Sequence, residues 1–205
     1  MRTEDIVALL AEDRQDQLVV SALGVVGNAW YAASQSENET FYMHSAMGMA
    51  SSFSMGLALA LPERLIWTLD GDGAISMNLG MLLTLAETPP RNLTHFIFNS
   101  GAYESIGGHP LPGCATADYA AMARAAGIAH AYTLDNLADL KALLPTITAG
   151  EHYSFVVLRI EHETTRVDNR KKAPDQTRGG SPSNSVEVAL KFIRYIERSE
   201  GIKVL

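Results

Sequence analysis

Asp72 stands between two glycines in "LDGDGAISMNLG" (residues 69–80), directly after the apolar run "RLIWTL" and directly before a helical pattern. Glycine permits backbone angles and close approaches that a side chain blocks, and a helix start offers unpaired amide donors to an anion. A carboxylate on such a corner repels a bound phosphate unless a cation lies between them, so Asp72 points to a divalent metal at a phosphate-type site. Asn99 follows Asp72 by 27 residues, ends the next apolar run "HFIFN", and precedes Gly101 by two. A strand, helix and return strand of that length bring two parallel strand ends to one edge. There Asp72, the Asn99 amide oxygen and the Gly101 carbonyl would offer three hard oxygens, a set suited to magnesium. "GDG" alone is more often only a turn, and it is the distance to Asn99 that makes the pattern specific.

The elements that must position these residues are legible as apolar runs alternating with helical patterns. In order they are "QLVVSALG", "GMASSFSMGLALAL", "RLIWTLDGDG", "MNLGMLLTLAET", "LTHFIFNSG", "DYAAMARAAG", "AHAYTL", "NLADLKALLPTI" and "SFVVLRIE". The strand runs are continuously apolar, as a parallel sheet covered on both faces requires, so a doubly wound α/β fold with a mainly parallel sheet is expected. Ligands bind at the carboxyl ends of strands in such sheets, where both "LDGDG" and "FNSGAYESIGG" fall. One domain over 1–205 is expected, with a polar linker at 164–183 and a final helix at 184–200, for which Asn184 is the candidate cap and Glu187 the third helical residue.

The composition, 47% hydrophobic and 19% charged with net charge -7, argues against a nucleic-acid or anionic-membrane surface. The basic stretch "TRVDNRKKAPDQTR" reads as a solvated loop. The single cysteine, Cys114, excludes an internal disulfide framework. With a charged N-terminal segment and no apolar run of membrane-spanning length, a cytoplasmic protein is expected.

"GDG", 25 residues, then "N" resembles the diphosphate-binding motif of thiamine-diphosphate-dependent enzymes, and "FYMHSAMGMASSFSMGLALALP" is similar to the segment that grips the cofactor's aminopyrimidine there. "VVSALG", "FYMHSAMGMASS" and "NSGAYESIGGHP" are most similar to the branch containing sulfopyruvate and phosphonopyruvate decarboxylases, a resemblance running from about Val19 to Glu161. It implies that Asp72, Asn99 and the Gly101 carbonyl bind magnesium, and that Gly71, Gly73 and Ala74 cradle the diphosphate. It implies that Ser45 offers its carbonyl to the pyrimidine amine and that Met47 wedges the cofactor into a bent shape, with Gly24, Ala46, Ala102 and Tyr103 completing the cofactor site. The family often has glycine at the Ser45 position, a second Asn at the Phe98 position, and "GGQP" where "GGHP" stands here.

The same resemblance implies a decarboxylase for a pyruvate bearing a sulfo or phosphono group at carbon 3. The activating glutamate would come from a separate pyrimidine-binding chain, and a heteromer with two copies of each chain is expected. Glu104 and His109, on the loop after the metal ligand, are the candidate catalytic residues. The alternatives are a carboligase resembling acetolactate synthase and a non-catalytic cofactor-binding or regulatory protein. Read without the motif, Met47 is core filling in a Met-rich helix and Asn99 a strand-end turn residue. The six histidines (His44, His95, His109, His130, His152, His162) show no metal-ligand spacing.

Overall fold

The computed structural model describes residues 1–44, 46–162 and 185–204. Ser45, the basic stretch at 165–178, the polar segment at 164–183 and Asn184 lie outside the described residues. The elements in chain order are α1 (Thr3–Asp13), β1 (Leu18–Ala22), α2 (Val25–Ser34), β2 (Thr40–Met43), α3 (Ala50–Ala60), β3 (Ile66–Gly71), α4 (Asp72–Ser76), α5 (Met81–Glu87) and β4 (Leu93–Asn99). A short hairpin, β5 (Ala102–Tyr103) and β6 (His109–Pro110), precedes α6 (Tyr119–Ala126), β7 (Ala131–Leu134), α7 (Leu137–Ile147), β8 (Ser154–Arg159) and α8 (Ser185–Glu200).

Six strands form one parallel sheet in the order β2-β1-β3-β4-β8-β7. Every residue of β1, and all but the last of β3, β4 and β8, is buried, which is why these strands read as unbroken apolar runs. Alternate strand residues feed two cores. Ile66, Ile97, Phe155 and Val157 pack with α3, α5 and α6 on one face, while Trp67, Leu69, Phe96 and Phe98 pack with α1, α2 and α7 on the other. α8 lies along edge strand β2, where Phe192 joins a cluster with Phe41 and Phe53. Glu187 is the third residue of α8, as expected.

Two expectations are corrected here. The run "MNLGMLLTLAET" is not helical from its start: residues 77–80 form a turn, and α5 begins only at Met81. Met47 is not in a helix, because α3 begins only at Ala50, and it is 76% exposed rather than core filling.

The chain runs from β1 out to β2 and then returns to the other side of β1 for β3, so the switch point of the sheet lies at the carboxyl ends of β1 and β3. Asn92, buried at the start of β4, holds this arrangement: its amide donates to the carbonyls of Ala58 (3.1 Å), Leu61 (2.9 Å) and Arg64 (2.8 Å) at the end of α3 and the turn into β3. Asn92→Ala removes these three hydrogen bonds and is expected to cost about 1–3 kcal/mol in urea denaturation. An unchanged denaturation midpoint would contradict that role.

Candidate functional site

β3 ends at Gly71, and Asp72 opens α4 at the carboxyl edge of the sheet. The register pairs Gly71 with Phe98, so Asp72 and Asn99 occupy neighbouring strand ends. Asp72 is buried, and both its oxygens are engaged: Oδ1 accepts from the Gly73 N–H at 2.8 Å and Oδ2 from the Gly101 N–H at 2.6 Å. The carboxylate thereby ties the corner after β3 to the loop after β4. Burial pushes the Asp72 carboxyl up to about 6; the N–H groups of Gly101, Gly73 and Ser100 oppose the rise, and the charge of Glu104 adds to it.

The switch point opens into a cavity of about 600 Å³ with mainly apolar walls. Two of its glycines have steric reasons to be glycine. Gly24 has φ +93°, and a Cβ there would meet Ser105 at 3.2 Å. A Cβ on Gly73 would strike the Tyr103 ring at 2.9 Å, so the ring can stand there only because that position has no side chain. Gly71 faces open space, leaving its backbone accessible.

Of the residues singled out from the sequence, Gly24, Ala46 and Met47 lie on one side of the cavity and Gly71, Asp72, Gly73 and Ala74 on its floor. Ala102, Tyr103 and Glu104 close the third side. Asn99 and Gly101 adjoin the floor without forming part of the wall. The Gly101 amide bonds Asp72, and its carbonyl accepts from the Leu111 N–H at 2.9 Å. His109 is exposed on β6 and lies off the cavity wall, whereas Glu104 contacts His162 Nδ1 at 2.6 Å.

Sequence reading passed over Asp70, which lies on the cavity wall and is fully buried. Its Oδ1 accepts from the Gly71 N–H at 3.0 Å, and its Oδ2 faces His95 Nε2 at 3.4 Å. His95 in turn lies 3.3 Å from the Tyr153 hydroxyl and edge-on to Phe155. The available signal was a carboxylate at an inward-facing strand position among apolar neighbours.

Fold and site place the chain among doubly wound α/β proteins that bind ligands at the switch point of the sheet. Residues 24–160 match the family described as thiamine pyrophosphate enzyme, C-terminal TPP binding domain, and the chain belongs to that family. It is 30% identical to a sulfopyruvate decarboxylase of Methanosarcina acetivorans, over 86% of this chain and 45% of that protein. It is 35% identical to a phosphonopyruvate decarboxylase of Streptomyces viridochromogenes, over 74% of this chain and 38% of that protein. With a sulfopyruvate decarboxylase subunit beta of Methanococcus maripaludis it shares 34% identity, over 60% of this chain and 65% of that subunit. The crystal structure of benzoylformate decarboxylase from Polynucleobacter necessarius has the same fold, with a TM-score of 0.67 at 18% identity, over 80% of this chain and 34% of that one. The chain thus spans less than half the length of the two larger decarboxylases. Among the described residues no helix is long and apolar enough to cross a membrane.

The raised Asp72 carboxyl has a consequence for stability. The folded chain holds this proton more tightly than the unfolded chain, so the associated stabilisation is complete at low pH and is lost as pH rises from about 4 to about 6. Urea midpoints measured without divalent cations should decline across that interval, and Asp72→Asn should flatten the decline. A slope that survives in the Asn variant would assign it to other groups.

Proposed function

We propose that this chain is the diphosphate- and magnesium-binding half of a thiamine-diphosphate-dependent 2-oxo acid decarboxylase, acting on 3-sulfopyruvate or 3-phosphonopyruvate together with a pyrimidine-binding partner chain. The observation that carries the reading is the buried Asp72 carboxylate on a glycine corner beside Asn99, at the floor of the switch-point cavity. The residues present fit the cofactor. Gly71 leaves the backbone open to the cavity and Gly73 allows Tyr103 to close on the loop, a floor that a diphosphate can approach without meeting side chains. Asp72, Asn99 and the Gly101 carbonyl are hard oxygen donors of the kind magnesium takes when it shares ligands with phosphates.

When bound, thiamine diphosphate supplies an electron sink for the pair left when a 2-oxo acid loses carbon dioxide. The chain's own residues would hold and orient it. Gly71, Gly73 and Ala74 would meet the diphosphate, and Met47, exposed at the cavity wall, would press between the two rings. The carbonyl of Ser45 is the proposed partner of the pyrimidine amine. Glu104 lines the cavity and, as an acid held by His162, suits proton transfer at the substrate better than recognition of its anionic end. His109 would meet the sulfo or phosphono group only from the hairpin's outer side, where the partner chain would close the site.

A partner is supported by the apolar rim of the cavity: Leu23, Met47, Met77 and Ile106 are 40%, 76%, 51% and 68% exposed. A matched relative is itself named a subunit beta. The proposed assembly has two copies of each chain, with sites between unlike chains.

The test is carbon dioxide release from 3-sulfopyruvate, with thiamine diphosphate and magnesium added, by the purified chain and by the chain co-expressed with a pyrimidine-binding chain. Turnover is expected only from the pair, and both chelation and Asp72→Ala should abolish it while leaving the chain folded. Substantial turnover by the chain alone would refute the divided site, and activity indifferent to chelator would refute the metal.

A further inference from the structure

We infer that Asn78 is a positioning residue that locks the turn carrying Met47 to the loop beneath the diphosphate, so that the two ends of the cofactor are gripped in a fixed relative placement. The inference rests on the cavity being a thiamine diphosphate site and goes beyond it in naming what couples its two halves.

Met47 is 76% exposed, so its own packing does not fix where it stands. The turn beneath it must be held through its backbone. The Met49 N–H closes the turn on the Ala46 carbonyl at 3.1 Å, and Asn78 reaches it from the other loop. Asn78 Nδ2 donates to the Gly48 carbonyl at 2.9 Å and to Ser52 Oγ at 3.2 Å, spending both amide hydrogens on the turn and the first turn of α3.

The backbone of Asn78 is anchored at the diphosphate side. Its N–H donates to the Ile75 carbonyl at 3.0 Å and its carbonyl accepts from the Met81 N–H at 3.0 Å, joining the end of α4 to the start of α5. Gly48 completes the junction: its φ is +77°, and a Cβ there would stand 3.1 Å from both the Ala74 carbonyl and Met77 Cβ. The Met47 turn therefore sits directly on α4, which Asp72 opens, and on the turn that follows it. A displacement of either loop is transmitted to the other, and the Asn78 amide is the side chain that makes the link directional.

The full chain, wild type and variant, is to be titrated calorimetrically with thiamine diphosphate and, separately, with inorganic diphosphate, each with magnesium. Asn78→Ala removes the donor, and Asn78→Asp keeps the side-chain volume while placing an acceptor against the Gly48 carbonyl, so a folded comparison remains if the first variant unfolds. In both, the preference for thiamine diphosphate over inorganic diphosphate should fall roughly tenfold while affinity for inorganic diphosphate stays within about twofold. Methyl-labelled methionine spectra of the thiamine diphosphate complex should show the Met47 resonance moving back toward its ligand-free position in the same variants. An unchanged preference with an unmoved Met47 resonance overturns the assignment, and an equal loss for both ligands shows a merely structural residue and overturns it as well. Failure of the wild-type chain to bind either ligand even when co-expressed with a pyrimidine-binding chain would instead overturn the cofactor site, a result distinct from the other two.

Discussion

Everything at the carboxyl edge of the sheet follows from placing one carboxylate out of water. An unpaired buried charge is among the costliest groups a fold can contain, and Asp72 is held there only by backbone N–H donors drawn from two loops. That requirement fixes the loops. Gly101 must turn its amide inward with φ at +76°, Gly73 must stay bare, and Tyr103 then closes over it. A second layer steadies the corner from below: Ser76 Oγ donates to the Asp72 carbonyl at 2.7 Å and meets the Tyr119 hydroxyl at 2.7 Å. The donors do not fully offset burial, since the carboxyl remains raised to about 6. A site left electrostatically unsatisfied in this way is suited to a cation, whose charge would bring the carboxyl down again.

The sheet order supplies the space around that charge. Because β1 and β3 are neighbours whose connections leave in opposite directions, the loops after them diverge and leave a cavity between them. The turn before α3 and the β5–β6 hairpin then wall the cavity on its open sides. Asp70 on its wall, with His95 and Tyr153 behind, adds a chain of buried polar side chains between the sheet and its helices.

The central part of this architecture was readable from the residues. Runs such as "RLIWTL" and "HFIFN" are apolar on both faces because both faces are covered, and the glycine corner with Asn99 marks two adjacent strand ends. The beginning of the chain was harder. α1, α2 and β2 escaped the reading because α1 is a short apolar run flanked by charges, α2 carries a glycine in "VVGNAW", and β2 is only four residues long at the sheet's edge. Met47 was assigned to a helix because its neighbours are good helix formers, whereas the φ of +77° at Gly48 stops the helix short of it. His109 looked like a site residue from its place in the loop. In the structure it is exposed on β6 and off the cavity wall, which its place in the sequence does not display. Asn78 gave no signal at all, since its importance lies in contacts with residues 26 and 30 positions away.

Where the cation and the diphosphate sit is the central question of the site. A crystal structure of the chain grown with thiamine diphosphate and manganese, with the metal located by its anomalous scattering, decides this directly. The expected result is one anomalous peak at roughly 2.0–2.3 Å from an Asp72 oxygen, the Asn99 amide oxygen and the Gly101 carbonyl, with the diphosphate on its far side over Gly71 and Gly73. A diphosphate bound elsewhere, or a metal that none of these three oxygens touches, would contradict it.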